Sequence, residues 1–222
     1  MKKFLFSLVA IAVMAGFANV ARAQGGLALG LKVGTLGPGV ELTGYLIEDL
    51  NIRGGFNYLP YSYEFEEDGI NYDADLTMQT GLILLDWHMF GNNFRFSAGV
   101  VINDNELEAT GDTSEPEEIG SNLYTPSEVG TIKGTATFDQ VAPYVGIGYG
   151  NAVADDVSLS FIFDLGVIFQ GTPDIEISSD GTLANDPAFQ ADLKEEEKDI
   201  QDEADAFKIY PVLAFGIAYY FW

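Results

Sequence analysis

The sequence predicts an all-β protein: an eight-stranded antiparallel up-and-down transmembrane β-barrel with a short helix in its last extracellular loop. Three observations lead to this prediction. Segments between the acidic clusters alternate large apolar with small or polar residues at a period of two, as strands with two different faces do. The connections between these segments alternate in length, and the chain opens with the layout of an export signal.

The first 23 residues read as a secretory signal peptide. Lys2 and Lys3 precede an apolar run from about residue 4 to residue 14, and Ala21-Arg22-Ala23 forms an A-x-A cleavage site. The alternative is an uncleaved helical anchor, but no stretch reaches the roughly 18 apolar residues that a spanning helix needs. We therefore expect a signal peptide at 1–23 and a barrel domain at 24–222.

Composition excludes several classes of function. The net charge is −24, and loss of three of the ten basic residues with the signal would make the mature chain still more acidic. Such a charge argues against nucleic-acid binding, because phosphates need Lys and Arg. Without cysteine there is neither a disulfide nor a thiolate metal site. An aromatic content of 13% argues against disorder.

The first strand alternates along LALGLKVG, with three leucines and Val33 on one face and Lys32 among small residues on the other. The second places Val40 and Leu42 opposite Glu41 and Thr43. Its connection to the first strand would be a short turn at 35–38. The alternative is one long bent strand over 26–46, which leaves seven strands, but a barrel with both ends on one side needs an even number.

The later strands repeat the pattern. In the fourth, the even positions from Leu76 to Leu84 form the more apolar face, opposite Thr77 and Gln79. The stretch VSLSFIFDLGVIFQ, 157–170, is apolar at every odd position, whereas the segments 51–63 and 133–149 are less regular. The eight predicted strands cover residues 26–34, 38–46, 51–64, 72–86, 93–104, 132–149, 156–172 and 207–222.

The less apolar face of these strands does not resemble a solvated surface. It is rich in Gly, Ala, Ser and Thr, which suit a narrow interior, whereas the bulky face needs room. A transmembrane barrel turns apolar side chains toward lipid and polar ones inward, and closure pairs every backbone group. We therefore predict that the apolar face of each strand points toward lipid.

Single charges on the small face predict a network inside the barrel. A charge in such an interior must be paired to be tolerated. The expected role of the network is structural, filling the lumen and fixing the strand register, with conduction or gating as the alternative. The predicted members are Lys32, Glu41, Arg53, Arg95 and Asp164.

Loop lengths set the orientation. The short connections, 47–50, 87–92 and 150–155, are expected to be periplasmic turns. The long ones, 65–71, 105–131 and 173–206, are expected outside and carry most of the acids. The last contains a predicted helix at 185–207, capped by Asp186, with an apolar stripe that we expect to pack on the barrel domain. The stripe comprises Phe189, Leu193, Ile200 and Ala204.

Two candidate sites for chemistry are weak. His88, the only histidine, lies two residues from Asp86 at a predicted turn, but the pattern places no Ser nucleophile near it. We expect Trp87 and His88 to belong to an interfacial aromatic girdle instead. Acidic pairs such as Glu117-Glu118 suit Ca²⁺ or Mg²⁺ only as weak surface binding, because no calcium-loop spacing is present.

The chain resembles the small eight-stranded outer-membrane barrels, namely the OmpA transmembrane domain, OmpX, OmpW and the opacity proteins. The resemblance rests on the signal ending ARA-Q, the two-faced strands, VAPYVGIGYG at 141–150 and YPVLAFGIAYYF at 210–221. It implies a last strand that the barrel-assembly machinery recognises through alternating apolar positions and a final aromatic residue. The residues that would form this signal are Phe215, Ile217, Tyr219, Phe221 and Trp222. Trp222 lies one residue beyond the usual final Phe: either it is a tolerated extra girdle residue, or Tyr220 and Trp222 form the signal and the facing assigned to this strand is reversed.

These observations predict a non-enzymatic bacterial outer-membrane protein with a structural or surface-interaction role. An eight-strand lumen is about filled by its own side chains. The alternatives, in order, are a narrow channel for small solutes or hydrophobic compounds, a lipid-modifying membrane enzyme and a soluble lipocalin-like binder. We expect a monomer without a cofactor or defined metal site, whose partners are outer-membrane lipid, lipopolysaccharide and the assembly machinery.

Overall fold

The structure, a computed structural model, describes residues 26–67, 70–91, 93–153 and 158–221. The predicted signal peptide and Trp222 lie outside these residues. The described strands are β1 Leu27–Gly34, β2 Gly37–Ile47, β3 Leu50–Glu67, β4 Ile70–Trp87, β5 Phe94–Asn103, β6 Glu106–Thr113, β7 Glu117–Ile119, β8 Asn122–Tyr124, β9 Thr131–Thr137, β10 Val141–Tyr149, β11 Leu159–Phe169, β12 Asp174–Ser179 and β13 Ile209–Tyr220. The helices are α1 Pro126–Val129, α2 Pro187–Glu203 and a 3₁₀ helix at Ala204–Lys208. None of the helices among the described residues is both long and apolar enough to cross a bilayer.

Eight strands close into an antiparallel barrel in the order β1-β2-β3-β4-β5-β10-β11-β13, and β13 pairs back with β1. The predicted fold class and strand number are confirmed. The first hairpin is present, with Thr35 and Leu36 as its turn and Gly37 at a φ of 86°. The seven-strand alternative is therefore wrong.

Strand lengths divide the molecule into a barrel and a projection from it. Strands β5, β10, β11 and β13 have 10, 9, 11 and 12 residues, close to the roughly 9–11 residues that cross a bilayer. Strands β3 and β4 each have 18 residues. Because only half of that length is needed, the hairpin that joins β3 to β4 projects beyond the barrel.

The projecting part of β4 starts a second sheet at the long-loop end of the molecule. Residues 70–77 of β4 pair with β6, β6 pairs with β9, and β9 pairs with β12. The single strand predicted over 132–149 is wrong: β9 joins this outer sheet, and β10 starts anew at Val141 to pair with β5 and β11. The segments 105–131 and 173–206, expected to be loops apart from the helix, contain β6 and β12.

Helix α2 covers the free edge of the outer sheet. Asp186 caps it as predicted, accepting hydrogen bonds from the backbone N–H groups of Ala188 and Phe189. The carboxylate of Glu197 and the amide oxygen of Gln201 accept from the backbone N–H groups of Ile177 and Ile175 on β12. These contacts satisfy donors that an exposed sheet edge would otherwise offer to another chain.

The apolar band outside the barrel follows the predicted faces on β1, β2, β5, β11 and β13. Leu31 on β1, Phe161 on β11 and Phe215 on β13 are 55%, 78% and 56% exposed. Lys32, Ile162 and Ala214, their neighbours along the chain, are buried in the lumen. A closed barrel with this outward apolar band is built to span a membrane.

Strand β4 has the opposite facing from the predicted one. Met78, Leu82 and Leu84 are buried in the lumen, whereas Leu85 and Trp87 face outward. The prediction assumed that the apolar face always points toward lipid. It fails here because the half of the lumen nearer the long loops is filled by apolar side chains, including those of β4.

Candidate functional site: the lumen of the barrel

The five residues predicted for the lumen lie together inside the barrel. The Lys32 ammonium pairs with Glu41, and Arg53 lies 3.3 Å from Glu41 and 2.8 Å from Asp164. Arg95 lies 2.7 Å from Asp164. Each of these side chains is almost fully buried. The structure thus places side chains from five different strands in one charged cluster; their structural role remains a prediction.

A sixth member, Asp86, was missed. Its carboxylate lies 2.9 Å from Arg53 Nε, accepts a 2.6 Å hydrogen bond from Ser97, and lies 3.8 Å from Arg95 Nε. It balances the cluster at three acids against three bases. The incorrect facing of β4 concealed it, since Asp86 shares the face of Leu84. The sequence did contain a sign of the error: the predicted facing of β4 would turn the Asp86 carboxylate toward lipid, which is unfavourable.

A glycine lets Arg95 reach across a strand. Gly148 on β10 stands directly between Arg95 on β5 and Asp164 on β11 in the sheet register. A Cβ atom on Gly148 would lie 2.7 Å from Arg95 Cζ. Because Gly148 has no side chain, the guanidinium passes over this residue and binds Asp164. This contact explains why a glycine stands at position 148, on the inward face that the sequence showed to be rich in small residues.

Apolar layers close the lumen on both sides of the charged cluster. Toward the long loops, Leu84, Tyr144 and Ile168 belong to one buried cluster. Toward the short turns, Ala28, Val153 and Ile162 belong to a second buried cluster. The cavity beside the charges has a volume of about 10 Å³, at the limit of what holds one water molecule.

His88 lies inside the short-turn end of the barrel and not in the aromatic girdle. Its side chain is buried, and its Nε2 lies 3.2 Å from Asn51 Nδ2. Trp87, the preceding residue, is exposed on the outside as expected. The expectation for His88 is wrong because the chain leaves β4 after Trp87, and the side chain of His88 turns into the end of the barrel beside Asn51.

The proposed assembly residues lie on the outer face of β13 as far as the structure describes them. Phe215, Ile217, Tyr219 and Phe221 are all exposed, whereas Tyr220 is partly buried against the lower lumen cluster. Trp222 lies outside the described residues. The outward placement of Tyr219 and Phe221 agrees with the facing predicted for this strand, while their role in assembly stays a prediction.

Within the described ranges, no group of three or more His, Asp or Glu side chains could hold a metal ion. The acidic pair Glu117 and Glu118 lies on β7 in the outer sheet region. Weak binding of divalent cations at the acidic loops therefore stays a prediction without a defined site.

No protein-family model matches the chain, and no curated protein sequence matches it. Among solved structures, it is similar to Acinetobacter baumannii CarO2, with a TM-score of 0.59 and 20% identity over 88% of this chain and 98% of that one. CarO from the same organism gives a TM-score of 0.58 and 19% identity over 88% and 98%. At such identities the likeness concerns the fold: the predicted resemblance to small eight-stranded barrels is confirmed at that level.

Proposed function

We propose that this chain is a bacterial outer-membrane protein with a sealed lumen and a structural or surface-interaction role. The observation that carries the proposal is the filled interior: a balanced charged cluster between two apolar layers, with a cavity of only about 10 Å³. A diffusion pore needs a continuous wet passage, which this packing does not provide. The long hairpin and the outer sheet put most of the exposed polar surface at one end.

The proposal includes the absence of enzymatic chemistry on lipids. Ser97 and His88 are both buried in the lumen, and Asp86 is occupied by Arg53 and Ser97. A lipid substrate would have to reach a nucleophile from the outer surface of the barrel. Overproduction should therefore leave the mass spectrum of lipid A unchanged, and a new acylation or deacylation product would contradict this part of the proposal.

Planar-bilayer recording tests the sealed lumen. We expect no steady conductance from the wild-type protein. A known outer-membrane porin, recorded in the same bilayers, is the positive control. Steady, solute-selective conductance from the wild type would support the narrow-channel alternative and overturn the proposal.

Cell fractionation tests the location. The mature protein should appear in the outer-membrane fraction as a monomer that runs faster on gels before heating than after, in contact with lipid and lipopolysaccharide. Assembly there would require the barrel-assembly machinery. Recovery from the soluble periplasm without detergent would favour the lipocalin-like alternative instead.

A further inference from the structure

A cavity outside the lumen lies between the outer sheet and the elements that cover it. Its volume is about 420 Å³, within the range of roughly 300–1,000 Å³ typical of small-molecule sites. Strands β4, β6, β9 and β12 form its floor, and β7 and α2 form its walls. The lumen is filled by side chains, whereas this cavity has room for a small molecule.

The floor is concave because small residues occupy the middle of the sheet. Ala109 pairs with Gly134, and Leu107 pairs with Ala136 in the next row. A Cβ atom on Gly134 would meet only open space, its nearest neighbour being the Ala109 carbonyl oxygen at 3.9 Å. Larger side chains on β12, Ile175 and Ile177, border the space. The cavity thus follows from side-chain size in a regular sheet.

The walls are apolar, and two apolar side chains stay partly uncovered. Ile119 and Leu193 are buried beside the cavity. Leu107 and Ile200 are 41% and 45% exposed although they also line it. Ile200 was predicted to pack on the barrel domain with the rest of the α2 stripe. It lies instead beside the open side of the cavity, where a bound apolar group would cover it.

Every charged residue that lines the cavity is acidic: Glu117, Glu118 and Glu196. Glu196 accepts a 2.9 Å hydrogen bond from the backbone N–H of Gly120, which fixes its position at the wall. Carboxylates beside an apolar space attract a cation and repel an anion, more strongly than in bulk water because the surroundings have a lower dielectric constant. This charge excludes fatty acids and similar anionic lipids as preferred occupants.

We infer that this cavity binds small cationic amphiphiles, that is, molecules with an apolar ring or alkyl body and one ammonium or guanidinium group. The apolar body would occupy the space above Gly134 and Ala136 and cover Ile200. The cation would lie toward Glu117, Glu118 and Glu196. The inference is independent of whether the lumen conducts, because the cavity lies outside the barrel interior.

The test uses the full mature protein in lipid nanodiscs, with empty nanodiscs as the blank for partition into lipid. The probe is 4-phenylbutyl-trimethylammonium, compared by calorimetry with its neutral tert-butyl analogue and with 4-phenylbutyl sulfonate. We expect saturable binding of the ammonium probe, with the other two at least about tenfold weaker. No saturable binding above the blank, or equal binding of the sulfonate, would overturn the inference.

A second test compares a variant that fills the cavity with a control variant that does not. Gly134→Leu places a side chain into the open space and should abolish binding, while Ser178→Leu adds the same side chain on the opposite face of the sheet and should leave binding unchanged. Ala136→Leu is the second filling variant if Gly134→Leu does not assemble. Glu118→Gln should weaken the ammonium probe but not the neutral analogue. Unchanged binding in a folded filling variant would assign the probe to another surface.

Discussion

At the scale of single residues, the lumen shows how pairing allows six charges to be buried at once. Arg53 contacts Glu41, Asp86 and Asp164, so it is the common partner of all three acids. Removing one member of a buried ionic cluster leaves its partners uncompensated, which is far more destabilising than loss of an exposed pair. Arg53 should therefore be the residue on which the cluster depends most.

We expect Arg53→Met to lower the free energy of unfolding by about 3–5 kcal/mol. Lys133→Met is the control, because Lys133 and Glu108 form an exposed ion pair on the outer sheet and should contribute less than about 1 kcal/mol. Urea unfolding of the reconstituted protein, followed by heat-modifiable gel mobility, measures both. Equal stability of the two variants would show that the cluster has no structural role.

At the scale of elements, β7, β8 and α2 are held together by polar contacts as well as by packing. Asp192 on α2 accepts hydrogen bonds from the Tyr124 hydroxyl and from Asn122 Nδ2 at 2.5 and 2.8 Å. The Tyr124 and Phe189 rings pack edge to face, with centroids 4.8 Å apart. Hydrogen bonds from Tyr124 and Asn122 lower the pKa of Asp192. The hydrogen bond between Tyr124 and Asp192 also raises the pKa of Tyr124 to about 12.

The lowered pKa predicts that acid loosens this region. The carboxylate form contributes stability that is complete above the ordinary aspartate value of about 3.9 and is lost as the pH falls through the lower folded value. Amide exchange in β7 and β8, corrected for the intrinsic pH dependence, should therefore accelerate at the acid end. Asp192→Asn should remove this pH dependence, and Asp199→Asn, on the exposed side of the same helix, should leave it unchanged. Identical profiles in all three proteins would contradict the assignment.

The outer sheet departs most from the structure that the sequence predicted, because its strands lie in segments that were expected to be loops. Its strands β6 and β12 carry visible alternation, as in Leu107, Ala109 and Gly111 or in Ile175 and Ile177. Their acidic residues led to the expectation of solvated loops. Alternation with acids on one face is what a sheet half covered by a helix requires. The cavity follows from this sheet, so it was also missed.

At the scale of the whole molecule, we expect assembly to depend on the outer face of the last strand. We expect Phe221→Ser to reduce the yield of assembled barrel, because Phe221 is outward-facing and belongs to the predicted recognition signal. Tyr220→Ser changes the neighbouring inward-facing residue and is the control. Deletion of Trp222 alone should leave assembly intact.

The measurement is made on cells that express each variant. It is the fraction of the protein that runs as the compact form on a gel before heating. If deletion of Trp222 blocks assembly while Phe221→Ser does not, the terminal signal is shifted by one residue from its predicted register. That outcome would leave the structural facing of β13 unchanged, because Tyr219 and Phe221 face outward.

The sequence by itself determined the number of barrel strands, the facing of β1, β2, β5, β11 and β13, and five of the six lumen charges. Alternation along a strand is a local property, so it can be recognised wherever one face is clearly more apolar. Only the tertiary structure decided the facing of β4, the place of Asp86, the division of β9 from β10 and the cavity beneath α2. On β4 both faces are apolar near Leu84 and Leu85, and pairing with β3 and β5 selects the face that packs against the lumen. That choice depends on residues distant in sequence, which local alternation does not contain.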